Sequence, residues 1–274
     1  MEITNFMTVD LEDYYCDLPI SEWSKFESRV EQNTYIILDL FEKYNVKATF
    51  FTLGYIGEKF PELIKEIKNK GHEIGSHSYS HIDLRKHTKE NIEKDLIKSK
   101  NILEEIIGEE IQSFRAPFFS IDQKSLDVME IITKYFKYDS SIFPTKTPLY
   151  GIANAPRFTY KPSLKNIIEN NENGKLTEIP MSIYKFPIIR NIPIAGGFYL
   201  RFLPYWLIKK GIKKINLQNN RAMIYIHPKD IDKNMPKIKD YDWYYYHNLE
   251  GGFKKFEKLL QDFNFSSIEK IFKN

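Results

Sequence analysis

A single cysteine in 274 residues is the sparsest feature of this chain. With Cys16 alone, no intrachain disulfide framework and no cysteine-cage zinc site can form, so a reducing or redox-indifferent compartment is expected. An excess of charge of one sign is missing too, with 40 basic residues against 37 acidic ones and a formal net charge of +3. That balance excludes a basic nucleic-acid face or an acidic tail as the organising feature. There is no apolar run of the roughly 18 residues a spanning helix requires; the nearest approach, Ile194 to Ile208, is interrupted by Arg201. Met1 to Thr8 carries Glu2 rather than a basic cluster and leads into too short an apolar stretch for a secretory leader, so a cytoplasmic location is expected.

What the chain does have is 42% hydrophobic and 15% aromatic content, enough for a packed core and against disorder. Short β-type runs alternate with stretches of helical period, the pattern of βα units around a parallel sheet or barrel. Strands are expected at Asn5 to Leu11, Lys47 to Leu53, His72 to Ser76, Ser113 to Phe118, Lys137 to Ile142, Leu176 to Met181, Ala222 to Ile226 and Phe265 to Ile271. Helices are expected at Tyr35 to Tyr44, Pro61 to Lys70, Glu90 to Ile107, Tyr205 to Ile215 and Phe253 to Phe263, with one more opened by a capping box at Ser120-Ile121-Asp122-Gln123 and running to about Tyr135. Prolines 144, 148, 156 and 162 punctuate an irregular excursion, about 144–175, that reads as a wall or lid. The whole of 1–274 reads as one α/β domain, closed by the helix and strand of 253–271.

Residues capable of chemistry recur just after strands. Asp10, Glu12 and Asp13 follow the first, His77 and His81 the third, Arg115 the fourth and His227 the sixth apolar run. C-terminal strand ends form the functional face of parallel sheets, so these distant segments are expected to converge. His77 and His81 are four apart, which on a helical turn points two imidazoles at one cation; a carboxylate from elsewhere would complete a three-ligand site with an open position. Three carboxylates in Asp10-Leu11-Glu12-Asp13 call for a cation or an arginine, and Arg115, at an apolar strand end, calls for a carboxylate. His72, His87 and His247 lack such context and are expected to be surface or internally satisfied residues. Cys16 reads as a bystander, and Asp230 and Asp232 as part of a solvated loop.

Thr8-Val9-Asp10, Thr49-Phe50-Phe51, His77-Ser78-Tyr79-Ser80-His81, Arg115-Ala116-Pro117-Phe118 and Ile226-His227 occur in the order and spacing of the polysaccharide deacetylase (NodB homology) family of carbohydrate esterases. The chain resembles most closely the branch associated with exopolysaccharide synthesis, through Tyr138-Asp139-Ser140-Ser141-Ile142-Phe143-Pro144, Glu178-Ile179-Pro180 and Gly196-Gly197-Phe198-Tyr199. The resemblance implies a distorted (β/α) barrel of about seven strands that removes acetyl groups from N-acetylated sugars with one divalent metal, Zn2+ by preference. It implies Asp10 as general base, Arg115 as the residue orienting it, His77 and His81 as metal ligands and His227 as general acid. Substrate and oxyanion contacts fall near Pro117, Phe118 and Phe119. The first motif departs from the family's two adjacent aspartates, because Leu11 follows Asp10. The third metal ligand is then Glu12, on the same strand face as Asp10, or Asp13, and the shorter Asp13 is slightly preferred. The family's fourth-motif aspartate and tryptophan are not evident, and Asp139-Ser140-Ser141 has no assigned role.

The partner implied is an acetylated glycan, with no nucleic acid. A peripheral membrane contact through Phe198 to Lys214 stays open, oligomeric state is not constrained, and Trp243 to Tyr246 is either core or a sugar-stacking surface. The alternatives carried forward are a cyclic amide or imide hydrolase of the same barrel type and a carbohydrate-binding protein without catalysis.

Overall fold

The computed structural model describes residues 3–185 and 191–273. Its centre is a parallel sheet built from β1 (Asn5–Leu11), β2 (Thr49–Thr52), β3 (Glu73–Ser76), β4 (Ser113–Phe114), β5 (Tyr138–Asp139), β6 (Thr177–Glu178) and β7 (Met223–Ile226). Their order is β7-β1-β2-β3-β4-β5-β6, with β8 (Phe265–Ser266) beside the start of β1. The sheet curls into an open barrel around which the helices pack, the architecture expected of the family. Between β6 and β7 a side chain substitutes for a ladder bond: Ser182 Oγ accepts from the Met223 N–H at 2.7 Å.

All seven residues of β1 are buried, as befits a strand covered on both faces. Strand alternation still sorts them. Met7, Val9 and Leu11 join the large core under the helices, whereas Phe6 belongs to a second cluster inside the barrel with Phe51, Phe119, Phe143, Met223 and Tyr225. Thr8 and Asp10 share the face of Phe6, so the barrel interior passes from apolar to charged toward the C-terminal strand ends. The register Val9↔Ile226 and Asp10↔Phe51 sets the end of β1 beside those of β7 and β2.

The helices are α1 (Val30–Lys43), α2 (Gly54–Lys59), α3 (Pro61–Asn69), α4 (Lys89–Ile107), α5 (Leu126–Tyr135), α6 (Gly197–Phe202), α7 (Tyr205–Asn216), α8 (Leu249–Asp262) and α9 (Ile268–Lys273). Local chemistry sets the ends of α4: the Thr88 hydroxyl accepts from the Asn91 N–H, and Gly108 closes the helix at φ 69°. The capping box expected at Ser120 does not form. Ser120 Oγ accepts instead from the Leu84 N–H at 3.1 Å, Asp122 bonds to Ser125 and Lys124, and α5 begins at Leu126. The last expected strand is also shorter than its pattern: after Ser266 the chain turns into α9, where Phe272 stacks on Tyr138 and Phe6. The excursion after Pro144 carries an antiparallel hairpin, 162–163 with 166–170, and Tyr150 packs against Phe119 and Phe143 as a wall of the barrel interior. Among the described residues no helix is long and apolar enough to cross a membrane. His72 is buried between Phe41 and Phe50, accepts from the Ala48 N–H through Nδ1, and is held neutral by burial, which pushes its pKa down to about 3.

Candidate metal centre and active site

Glu12, just beyond the end of β1, continues the inward face of Asp10 by strand alternation. Its carboxylate meets the imidazoles of His77 and His81, and one ligand atom from each lies within 4.8 Å of the others. The two histidines do not sit on a helical turn, as their spacing suggested. The segment after β3 is a loop in which Ser78 and His81 adopt positive φ, 67° and 52°, and that bend brings the rings to 5.3 Å. Gly54 and Tyr55 N–H groups of α2 donate to the Ser78 and Tyr79 carbonyls, while Asp95 accepts from the Tyr79 N–H and the Ser80 hydroxyl, so the loop is pinned from both sides.

Both imidazoles are oriented by backbone carbonyls. His77 Nδ1 lies 2.7 Å from the Arg115 carbonyl and His81 Nδ1 2.9 Å from the Cys16 carbonyl. A carbonyl only accepts, so each neutral ring carries its proton on Nδ1 and turns the Nε2 lone pair to the site. Cys16 therefore matters through its carbonyl, since its thiol is buried and burial pushes its pKa well up. This arrangement leaves a conflict at Glu12. Its buried Oε2 has no hydrogen-bond donor and stands 2.7 Å from His81 Nε2, a lone pair facing a carboxylate oxygen. Either a proton on His81 or a cation between the two relieves it. Burial opposes the proton, yet Glu12 and Asp17 together outweigh it and raise the pKa of His81. Burial also works against charge on Glu12, but His81, Lys229 and His227 hold its carboxyl well below the usual range. His77, by contrast, is kept neutral by burial, with a pKa pushed down to about 4. One anionic and two imidazole donors, with an orphaned carboxylate oxygen between them, fit a divalent ion of the zinc type.

Asp13 does not join this group, which corrects the slight preference for it as the third ligand. Arg29, at the N-cap of α1, gives no side-chain cap, and Asp13 supplies one from a distance. Its oxygens accept from the Ser28 hydroxyl at 2.5 Å, the Arg29 N–H at 3.0 Å, the Val30 N–H at 3.3 Å and the Tyr14 N–H at 2.9 Å. The carboxylate is consumed by the start of a helix.

Asp10 is held from the other side of the barrel. Arg115 is fully buried and donates from Nη1 to Asp10 Oδ1 at 2.5 Å and to Thr8 Oγ1 at 2.9 Å. Its Nε and Nη2 bond to the Ser140 carbonyl and hydroxyl, and its plane lies 4.3 Å from the Phe51 ring centroid. These contacts give Asp139-Ser140-Ser141 its role. Ser141 Oγ accepts from the Ala116 N–H and donates to Asp139, and Asp139 faces Glu178, a buried acid whose pKa burial and Asp139 together push well up.

His227 closes the site from the end of β7. Its Nε2 lies 3.8 Å from Asp10 Oδ2 and 3.5 Å from Glu12 Oε1. Asp230 is not in a solvated loop, as expected from sequence, but buried, with Oδ2 2.8 Å from His227 Nδ1. Burial lowers the pKa of His227, and Asp230, with Glu12 beside it, raises it, so the net direction is upward. Gly197 makes room for this pair: a Cβ there would fall 1.9 Å from the Asp230 carboxylate. Asp232 instead ties the loop to α1 through Arg29 and Asn33. Lys229, which sequence reading passed over, bridges Glu12 Oε1 at 2.8 Å and Asp17 Oδ2 at 3.1 Å, leaving Glu12 Oε2 for the imidazoles. Of the three residues placed on the substrate side, Phe118 is half-exposed over His81 at 4.3 Å between rings, while Pro117 and Phe119 are buried beneath it.

Residues 21–133 match the polysaccharide deacetylase family, and residues 140–273 match a domain of unknown function, DUF3473. The peptidoglycan-N-acetylglucosamine deacetylase of Bacillus cereus is 42% identical over 90 residues, 33% of this chain and 33% of that protein. The peptidoglycan deacetylase of Helicobacter pylori is 28% identical over 213 residues, 76% of this chain and 64% of that protein. The chain thus spans less than two thirds of the length of both curated relatives. Among solved structures, a Mycobacterium smegmatis protein provisionally named a polysaccharide deacetylase shares the fold with a TM-score of 0.62 at 17% identity, over 99% of this chain and 93% of that one. The two family matches divide the site: His77, His81 and Arg115 lie in the first, His227, Lys229 and Asp230 in the second, and Asp10 and Glu12 precede both.

Proposed function

We propose that the chain, whose residues 21–133 match the polysaccharide deacetylase family, hydrolyses the acetamide of N-acetylated sugar units in a polysaccharide or its precursor, with a divalent metal, zinc by preference, on Glu12, His77 and His81. The observation that carries this reading is the convergence, on one buried face, of a three-donor metal group with two separately supported proton-transfer groups, Asp10 on Arg115 and His227 on Asp230. When bound, the metal supplies Lewis-acid polarisation and a water of lowered pKa. Asp10 uses one oxygen to hold Arg115 and keeps the other toward His227, which positions it to take a proton. His227, with Nδ1 committed to Asp230, presents Nε2 to the same space and gives a proton to the departing amine. The Phe119 N–H is spent on the Ala116 carbonyl, which leaves the Phe118 N–H as the backbone donor for the oxyanion. A binding protein would have no use for two such supported acid–base groups beside one metal group.

The test is metal content by elemental analysis together with acetate release from N-acetylglucosamine oligomers, before and after chelation and zinc re-addition. About one metal per chain and chelator-sensitive acetate release are expected. Acetate release untouched by complete metal removal would exclude the metal-dependent route, and no acetate release from any acetylated sugar, with or without metal, would favour the cyclic amide hydrolase.

Asp230→Asn tests the acid. Asp230 raises the pKa of His227, and the acid works only while protonated, so removing the charge moves the alkaline limb of the kcat/KM profile to lower pH. A limb left in place would take His227 out of the acid role.

A further inference from the structure

The ends of β5 and β6 set two acids side by side in the interior. Asp139 and Glu178 are register partners on neighbouring parallel strands, so their side chains share one face of the sheet, and both are fully buried. Each spends one oxygen on the segment that follows β5. Asp139 Oδ1 accepts from the Ser141 hydroxyl at 2.5 Å, and Glu178 Oε1 accepts from the Ile142 N–H at 2.9 Å. The other two oxygens, Asp139 Oδ2 and Glu178 Oε2, have no donor among the described residues, although the two carboxyl groups lie within hydrogen-bonding reach of each other. The donors that face this space are already spent. Arg115 gives its N–H groups to Asp10, Thr8, Ser140 and the Met223 sulfur. Tyr160, which faces both acids, donates to the Ile167 carbonyl at 2.6 Å. Two bare carboxylates here would add mutual repulsion to the burial cost of each, whereas one hydrogen between the orphaned oxygens removes both penalties.

We propose that Asp139 and Glu178 share one proton and that this acid pair is a positioning element for Asp10. The inference rests on the deacetylase reading of the centre and adds to it the device that aims the base. The pair clamps residues 139–142 from two sides. Ser141 Oγ, held by Asp139, accepts from the Ala116 N–H beyond β4 at 2.8 Å, while Glu178 holds Ile142 and the Ser140 hydroxyl donates to the Ile179 carbonyl at 2.8 Å. Between these anchors Ser140 turns its carbonyl and hydroxyl to Arg115 Nε and Nη2, at 2.9 and 3.0 Å, and Arg115 Nη1 holds Asp10. Losing the proton would set two anions against each other where Ser140 is fixed, and the displacement would reach Asp10 through the guanidinium. Burial raises the pKa of both acids. Hydrogen bonds from Glu178 and Ser141 and the charge of Arg115 hold Asp139 back, whereas Asp139 pushes Glu178 further up, which leaves the proton on the Glu178 side.

Infrared difference spectroscopy on the metal-loaded full chain near neutral pH reads the proton directly. Wild type minus Glu178→Gln and wild type minus Asp139→Asn are each expected to show the carbonyl stretch of a protonated carboxyl, because in either variant an amide N–H takes the place of the proton. A difference spectrum without that band overturns the shared proton. Positioning is read from acetate release with β-1,4-linked N-acetylglucosamine oligomers as substrate. Asp139→Ala removes the acceptor of Ser141 and is expected to lower kcat about tenfold with KM and metal content unchanged, a loss that Asp139→Asn largely recovers. Ser141→Ala keeps both acids, cuts only the link to Ala116 and lowers kcat in the same direction, which decides the matter if Asp139→Ala does not fold. Wild-type kcat in a folded Asp139→Ala or Ser141→Ala chain overturns the positioning role, as does an equal loss in Asp139→Asn. The difference band in a chain that releases no acetate from any acetylated sugar would refute the deacetylase reading and leave the proton-sharing pair standing.

Discussion

Asp10→Asn is expected to lower kcat by about 10³ while the chain still takes up its metal. Among the described residues Asp10 supplies the carboxylate that pairs with the buried Arg115, through a 2.5 Å contact, so the substitution acts on two levels at once. Chemically, an amide cannot accept the proton of the attacking water. Structurally, the Asn carbonyl can still accept from Arg115 Nη1, and Thr8, Ser140 and the Phe51 ring continue to hold the guanidinium. The fold should therefore survive with a lowered melting temperature, because a buried cation has lost its counter-charge. Arg115→Met is the complementary change: it strands Asp10 as an uncompensated carboxylate in a site already holding Glu12, and both activity and stability should fall further. The measurements are kcat, metal per chain and thermal midpoint on the same preparations. An Asp10→Asn chain that folds, binds metal and retains more than about a tenth of its turnover would remove Asp10 from the base role.

The alternation of apolar strands with helical periods was legible because parallel strands buried on both faces read as continuous apolar runs. So was the list of chemical groups, since polar residues that end such runs stand out. What stayed hidden depends on contacts between segments distant in sequence. Asp13 could not be read as a cap for α1, because the helix start lies beyond Ser28 and Arg29 and the capping carboxylate arrives from across a loop. His77 and His81 have helical spacing, but the positive φ values at Ser78 and His81 are imposed by α2 and Asp95, not by any local glycine. Ser140 became meaningful only when β5 was laid beside β4, where Arg115 emerges. Asp230 was the exception that could have been found locally. A His-Pro-x-Asp turn lets the aspartate reach back to both the backbone N–H and Nδ1 of the histidine three residues earlier, and both contacts are present.

Glu12→Gln and Asp13→Asn should separate into a metal phenotype and a stability phenotype, although the residues are adjacent and both buried. Glu12 offers the one anionic donor of the three-residue group, and its Oε2 has no hydrogen-bond donor to lose. Replacing it removes the charge that matches the cation and is expected to weaken zinc binding by more than about 100-fold, the upper range for losing a mere supporting partner. Lys229 keeps Asp17 as counter-ion, so the apo chain should remain folded. Asp13→Asn leaves the donor group intact and zinc at wild-type stoichiometry. It replaces the charged acceptor of the Ser28, Arg29 and Val30 donors at the positive end of α1 with a neutral one, at a cost of about 1 kcal/mol and a few degrees in Tm. Because burial works against ionisation of Asp13 while those donors support it, the amide also relieves part of that burial penalty, which keeps the loss this small. Metal titration and thermal melts on the two variants decide the assignment. Loss of zinc from Asp13→Asn with retention by Glu12→Gln would reverse it, and the third ligand would then have to come from a rearranged loop before α1.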